Sequence, residues 1–162
     1  MSDQSICIFG CNSAINNMAI FGLSYHFISV LDMLIYYFDN LAADCAICTA
    51  FGTTFTKGTN LFVGTIPAVD NDLIGITTYG GSPPTKEGDR LNPYIQILTK
   101  TKSRERALLT MQSIINDLHM NTNAISKGVL ISNNSDPILL GFVESGEYCL
   151  AVSNYQIKHV KN

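Results

Sequence analysis

The chain has 162 residues, of which 46% are hydrophobic and only 14% are charged, and its net charge is −3. This length is enough for one domain with a substantial core and is short for two. Because the sequence has no basic stripe or Arg-rich run, binding to nucleic acid through its phosphates is not expected. A surface with so few charges instead favours contacts with other protein subunits.

Residues 1–26 are predicted to form an N-terminal arm or extension, and residues 27–162 a single α+β domain. The first residues have no basic n-region and no small-residue cleavage site, so a signal peptide is not expected. The apolar segment Ala19 to Phe38 has the length of a membrane span, but His26 and Asp32 would be costly at bilayer depth. Its apolar residues also recur at helical spacing, which favours an amphipathic core or subunit-contact helix over a membrane helix. These residues are Phe27, Val30, Leu31, Leu34, Ile35 and Phe38.

The chain contains five cysteines. The spacings of Cys7 with Cys11 and of Cys45 with Cys48 leave open a four-thiolate zinc site or a redox pair. The second pair lacks the Gly, basic or turn residues that shape a zinc knuckle, so buried cysteines acting as small hydrophobic residues are the preferred interpretation. We therefore assign no metal site and no cofactor, and a Cys-based metal-binding module remains an alternative.

Alternating and β-branched segments predict five strands, separated by turn residues. Runs around Phe51–Thr54 and Lys57–Thr59 are predicted turns. Pro67 ends the first strand, Gly80-Gly81 breaks the second, and Asp136-Pro137 opens a loop through Gly141. The predicted strands are Asn60–Ile66, Leu73–Tyr79, Pro93–Lys102, Gly128–Asn133 and Tyr148–Val160. Together they predict an α+β fold: a mostly antiparallel mixed sheet of about five strands with two main helices packed on one face.

The segment from Asn92 to Met120 is the clearest local unit. Its strand places Ile95, Ile97, Thr99 and Thr101 on one face. Ser103 is a predicted N-cap, and Glu105 suits the positive end of the helix dipole. The helix has one apolar stripe, formed by Ala107, Leu108, Met111, Ile114, Ile115 and Leu118.

The sequence shows no convincing catalytic constellation. The three histidines, His26, His119 and His159, are separate from one another and from any nucleophile. His119 ends the second helix, where a partly protonated ring suits the negative end of the dipole. Asp70 and Asp72 could hold a divalent cation, but an Asx-rich turn explains them without a further assumption.

Two further groups of residues favour structure over chemistry. Gly80-Gly81 precedes prolines and not a helix, so it lacks the context of a phosphate-binding loop. The basic residues from Lys100 to Arg106 are predicted to form a solvated face. No residue is therefore assigned to catalysis, and a binding or structural protein is expected. Its contact surfaces are placed in the segments Thr85–Asn92 and Asp136–Glu147.

Several ordered motifs resemble a bacteriophage minor capsid family and its tail-terminator (tail-completion) relatives. The first is Gly58-Thr59-Asn60-Leu61-Phe62-Val63-Gly64-Thr65-Ile66-Pro67, followed by Asp70 and Asp72. Ile76-Thr77-Thr78-Tyr79-Gly80-Gly81-Ser82-Pro83-Pro84 is similar to a family strand closed by Gly-Gly and prolines. The later motifs are Asn92-Pro93-Tyr94-Ile95-Gln96-Ile97, Ile115-Asn116-Asp117-Leu118-His119, Pro137-Ile138-Leu139-Leu140-Gly141 and the strand around Tyr148 to Val152.

This resemblance implies a non-enzymatic structural protein of the virion, located at the head–tail junction. Its implied partners are further copies of itself in a hexameric ring, the tail tube protein and the head–tail connector or stopper protein. DNA would pass through the ring without specific binding, and no membrane is involved. A head-completion or connector position in the same neck region is the alternative. Assembly would take place in the host cytoplasm.

Overall fold

A computed structural model of the protein describes residues 30–68, 70–82, 92–121, 129–133, 136–143 and 147–159. The described elements comprise three helices and six strands. The helices are α1 (Val30–Asp39), α2 (Ala46–Phe51) and α3 (Arg104–Leu118). The strands are β1 (Leu61–Val63), β2 (Leu73–Ser82), β3 (Asn92–Thr101), β4 (Val129–Asn133), β5 (Ile138–Val143) and β6 (Tyr148–His159).

The six strands form one mixed sheet, in the order β1-β2-β3-β6-β4, with β5 also paired to β6. β4 and β5 lie end to end along the outer edge of β6, since β4 pairs with its second half and β5 with its first half. β1 is parallel to β2, and the other pairs are antiparallel. The predicted α+β class with a mostly antiparallel sheet is confirmed, with one strand more than expected.

The predicted strand–cap–helix unit is formed by β3 and α3. The Ser103 hydroxyl caps the helix by accepting the Arg106 backbone N–H at 3.3 Å. The Thr99 hydroxyl, which is buried, donates to the carbonyl of Ala107 at 3.2 Å and so joins the strand directly to the first turn of the helix. These contacts fix α3 across the sheet immediately after β3 ends.

One face of the sheet packs against α3 and forms the core. Ile95, Ile97 and Thr99 of β3 pair with Tyr155, Ser153 and Ala151 of β6, and all six are buried. The helix contributes the apolar stripe predicted from its spacing, together with Thr110, while Leu108 is only partly buried. Burial raises the pKa of Tyr155, whose hydroxyl lies 3.8 Å from the Met111 sulfur.

Helices α1 and α2 enlarge this core with aromatic side chains. Phe38 of α1 contacts the ring of Phe55 edge to face, with the ring centroids 5.5 Å apart, and Phe51 of α2 lies 4.8 Å from Phe55. The sequence assigned no helix between Asp39 and Phe51, where α2 forms, but the predicted turns around Phe51–Thr54 and Lys57–Thr59 are present at Gly52 and Gly58. The ends of α2 are well defined: Cys45 is the N-cap, and Gly52 ends the helix with φ of 94°.

Two predicted chain breaks are in fact parts of strands. β2 continues through Gly80-Gly81, and an irregularity in its pairing with β3 between Thr78 and Gly81 absorbs the glycines. The segment predicted as a loop after Pro137 forms strand β5. In both places the pairing of neighbouring strands overrides the local preference of Gly and Pro.

The predicted helix between Ala19 and Phe38 is described only from Val30, where α1 begins. Residues 1–26, Phe27 and the proposed cysteine ligands Cys7 and Cys11 lie outside the described residues, as does His26. Of the helices in the described ranges, none is long and apolar enough to cross a membrane.

The stability of the fold should depend strongly on the packing between β3 and α3. Ile97→Ala removes a fully buried side chain and should lower the free energy of unfolding by about 2–5 kcal/mol. Leu109→Ala on α3 is the matched control, since Leu109 is 53% exposed. Urea titration followed by circular dichroism measures both, and equal midpoints for the two variants would contradict the packing described.

Candidate assembly surfaces

Strand β5 presents the largest run of exposed apolar side chains on a single described element. Ile138, Leu140 and Phe142 are 45%, 56% and 60% exposed. β5 pairs with β6 along one edge, and its other edge has no strand partner among the described residues. The six residues of β5 include no charged residue and no proline. Charged residues and prolines usually keep an exposed strand edge from pairing with another chain. The strand is therefore a candidate contact surface.

A bulge distributes these side chains over both faces of the sheet. The pairing register shifts by one residue between Leu139 and Gly141, where Gly141 has φ of 96°. Ile138 lies opposite Val152 on the face away from α3, whereas Phe142 lies opposite Cys149 on the face toward α3. Without the bulge, residues 138 and 142 would share one face. A partner of β5 therefore meets apolar groups on both sides of the strand.

The opposite edge of the sheet, at β1, is closed by its own turns. The Leu61 carbonyl accepts the Gly58 N–H at 3.0 Å, and the Leu61 N–H donates to the Thr56 carbonyl at 3.2 Å. The Val63 carbonyl accepts the N–H of Thr65 at 3.1 Å. Most outward backbone groups of β1 are thus already bonded. The backbone of the β1 edge is therefore largely hydrogen-bonded, whereas the outer edge of β5 has no strand partner among the described residues.

Asp70 and Asp72 are held by neighbouring elements. The Asp72 carboxylate accepts the Lys102 backbone N–H at 3.0 Å and forms an ion pair with Arg106 at 2.9 Å. Asp70 accepts the Tyr148 hydroxyl at 2.5 Å and lies 4.0 Å from the Lys102 ammonium. The turn joins the start of β2 to the β3–α3 junction and to the start of β6. Within the described ranges, no three His, Cys, Asp or Glu side chains are grouped as metal ligands would be.

The electrostatics of this turn follow from its hydrogen bonds. The hydrogen bond from Tyr148, followed by the nearby Lys102 ammonium, lowers the pKa of Asp70 below its ordinary value of 3.8. The same hydrogen bond to Asp70 raises the pKa of Tyr148, and burial adds to the effect. Asp70 is therefore ionised and engaged as an acceptor at neutral pH.

The basic cluster is only partly the solvated face that the sequence predicts. Lys102, Arg104 and Arg106 are exposed, but Lys100 is only 3% exposed. Its ammonium lies over the ring of Tyr148, 4.4 Å from the ring centroid, which is a favourable cation–π geometry. The prediction was wrong for Lys100 because Tyr148, which lies 48 residues later, packs beside it.

A second polar contact fastens α1 to α3. The Tyr37 hydroxyl donates to the carboxylate of Asp117. Asp117 is partly buried, and burial raises its pKa above the ordinary value of 3.8. The contact therefore restrains a half-buried acidic group where the two helices meet.

His119 has a structural contact that differs from the predicted one. Its Nδ1 accepts the backbone N–H of Asn133 at 2.9 Å, which joins the end of α3 to β4. The position of His119 at the end of α3 did not predict this hydrogen bond to β4. His159 is the last residue of β6, and its side chain is outside the described part of the chain.

The described cysteines occupy helical and strand positions. The Cys45 sulfur accepts the Cys48 N–H at 3.3 Å as the cap of α2, while the Cys48 and Cys149 side chains are buried. The alternative of a four-thiolate site also requires Cys7 and Cys11, so its full ligand set cannot be assembled from the residues that the structure describes.

The sheet face away from α3 has an uncharged polar region. Tyr79 stacks on Tyr94 with the ring centroids 5.9 Å apart, and the Gln96 amide donates to Asn154 at 3.0 Å. Gln156 donates to the Tyr94 hydroxyl at 3.4 Å. These side chains can make hydrogen bonds to a protein partner without attracting phosphate.

A comparison with family models decides the classification. The chain matches the model described as "Bacteriophage tail terminator protein" over residues 46–160. The chain belongs to the bacteriophage tail terminator family. No curated protein matches it. The match begins at α2 and extends one residue beyond β6. It confirms the tail-terminator resemblance derived from the ordered motifs.

As a tail terminator, the protein is a structural component of the phage virion tail, in a family that is not an enzyme family. Membership implies association with other tail or head components. Of the two segments expected to carry contacts, Thr85–Asn92 is described only at the backbone of Asn92. The other, Asp136–Glu147, contains the exposed strand β5. The short, nearly continuous apolar run from Ile138 to Val143 is the sequence signal that could have revealed it.

The Asp72 contacts should contribute measurably to stability of this tail terminator. Asp72→Ala leaves the Lys102 N–H and Arg106 without their acceptor and should lower the free energy of unfolding by about 1–2 kcal/mol. Asp72→Asn should recover part of the loss, since its amide oxygen can accept the same N–H. Urea unfolding measures the series. The exposed Asp44→Ala is the control, and an equal loss in that control would contradict the assignment.

Asp117 should make stability depend on pH in the opposite sense to most carboxylates. Its pKa is raised in the folded state, so its contribution is most favourable below the unfolded value and is lost as pH rises through the folded value. Asp117→Asn cannot ionise, so its stability relative to the parent should increase between about pH 4 and pH 7. Urea titrations across this range measure the difference. Asp44→Asn serves as control, and parallel curves for Asp117→Asn and the parent would refute the prediction.

Proposed function

We propose that the protein forms a hexameric ring that caps the tail tube and joins the tail to the head connector. The observation that supports this most directly is the family match over residues 46–160. In this proposal, residues 27–162 form the ring domain, and residues 1–26 form an arm. The partners are further copies of the chain, the tail tube protein and the connector or stopper protein.

The surface chemistry of the described residues supports a protein-binding role. A ring subunit needs side surfaces for its neighbours and two end surfaces for different partners. The exposed apolar strand β5 suits a subunit contact, and the uncharged region around Tyr94 and Gln96 suits a polar protein contact. The net charge of −3 fits a channel that DNA crosses without being held by its phosphates.

The ring has to stop growth of the tail tube by occupying its last subunits. Such capping needs affinity for the tube end and no surface that another tube subunit can use. In this proposal, the ring face away from the tube binds the connector, so it offers no site for a further tube subunit. Assembly of the ring and of the tail would take place in the host cytoplasm.

Particles made without the protein test the proposed role. We expect tails of uncontrolled, excessive length, because nothing stops tube polymerisation. Electron microscopy of lysates measures the length distribution, and supplying the protein in trans should restore a single length. Tails of normal length that fail to join heads would instead indicate the connector position and overturn the terminator assignment.

Purified components test the ring itself. Mixed with tail tubes, the protein should form particles with six copies of the 17.7 kDa chain and should block further tube elongation. Mass photometry and a light-scattering elongation assay give the two readouts. A chain that stays monomeric and leaves elongation unchanged would contradict both ring formation and capping.

A further inference from the structure

The outer edge of β5 has no strand partner among the described residues. The strand contains only apolar residues and one glycine, and the bulge at Gly141 places Ile138 and Phe142 on opposite faces of the sheet. A strand added along this edge would hydrogen-bond to the outward backbone groups of β5. It would also need apolar side chains on both of its own faces, so a continuous apolar run fits this edge better than an alternating one.

Two apolar runs precede α1 in the sequence. The run from Ala19 is predicted to continue into α1 as a helix, which leaves the shorter run Ile6-Cys7-Ile8-Phe9. We call this run the Ile6–Phe9 segment. Its β-branched and aromatic residues favour a strand, and successive residues of a strand point to opposite faces. As a strand, the segment would therefore place isoleucines on one face of the sheet and a cysteine and a phenylalanine on the other, as the β5 edge requires.

The composition of the N-terminal residues also favours a packed position. Asp3 is the only Asp, Glu, Lys or Arg among residues 1–29. Solvated tails are usually rich in charged residues and poor in β-branched and aromatic ones. The Ile6–Phe9 segment has the opposite composition, so packing against an apolar edge is more favourable for it than exposure to water.

The connection to α1 is long enough for the segment to reach β5 of its own chain. α1, which begins at Val30, packs against β1 and β2. Four strand spacings separate β1 from β5, a distance of about 19 Å. Residues 10–18 can extend over about 30 Å, and residues 19–29 add about 16 Å as a helix. The path therefore exceeds the width of the sheet.

We propose that the Ile6–Phe9 segment forms a further strand on the outer edge of β5 of its own chain and protects that edge from pairing with other chains. A tether of this length gives the segment an effective concentration on the order of millimolar, which favours it over a strand from a second copy. The added strand lies in the plane of the sheet, so the faces of β5 remain available for a subunit contact. The inference does not depend on ring formation.

Hydrogen exchange of the full-length chain tests the pairing. In the parent, the outward amides of β5 should be protected, because they donate to the added strand. The double variant Ile6→Pro, Ile8→Pro removes two N–H groups from the segment and cannot form a regular strand. The outward β5 amides of this variant should exchange about 10-fold faster or more. Mass spectrometry of peptides that cover residues 138–143 measures the rates.

Two matched variants serve as controls. Ile6→Val with Ile8→Val keeps the strand propensity of the segment and should keep the protection of β5. Asn12→Pro lies in the connection and should also exchange like the parent. Unchanged protection of the β3 amides verifies that each variant is folded, and deletion of residues 1–9 repeats the test if the proline variant is not.

The remaining outcomes overturn the proposal. Outward β5 amides that are unprotected in the parent, or equally protected in the proline and valine variants, show that the segment does not cover this edge. Protection that rises with protein concentration shows that a second copy covers it instead. None of these results bears on tail length or tube elongation, so the proposed function is tested separately.

Discussion

The antiparallel pairing of β3 with β6 is the contact on which the other described elements depend. β2 pairs with the free edge of β3, and β4 and β5 share the free edge of β6. α3 lies over both strands and is joined to β3 by the Thr99–Ala107 hydrogen bond. Since β6 follows β3 by about 50 residues, the sheet closes only when this long-range register forms. Its buried positions pair Ile95 with Tyr155 and Ile97 with Ser153.

The parts of the fold that could be predicted from the sequence are those with short-range causes. These are the alternation in β3, the cap at Ser103 and the apolar stripe of α3. In each of them, the residues that form the feature are close together in the sequence. Strand β5 was missed because Pro137 precedes it and Gly141 interrupts its apolar run. Helix α2 was missed because six residues are too few for a clear period. The secondary structure of such segments is decided by their contacts with distant parts of the chain and not by local propensity.

The segment that carries the candidate contact surface was predicted from the sequence, but its secondary structure was not. The segment Asp136–Glu147 was expected to carry contacts as a loop, whereas its centre is an edge strand. The burial of Lys100 was also hidden, because it depends on Tyr148 and on the turn at Asp70. Both cases depend on groups brought together from distant parts of the chain, which a local pattern does not contain.

The charged contacts of the described chain are concentrated at one end of the sheet. Asp70 and Asp72 engage Lys102 and Arg106 there, where they close the end of the strands. A sparingly charged protein can in this way reserve its ion pairs for folding and leave its lateral surfaces free for apolar contacts.

The bulge at Gly141 makes the orientation of Phe142 depend on the backbone conformation of one residue. A β-branched residue at position 141 disfavours the φ of 96° found there and would favour regular pairing. Phe142 would then lie opposite Tyr148 and turn to the face of the sheet away from α3. A substitution at a residue that carries no side chain would thus move an aromatic group from one side of the subunit to the other. In related chains, a change at this glycine is therefore expected to alter partner choice even where the exposed apolar side chains stay the same.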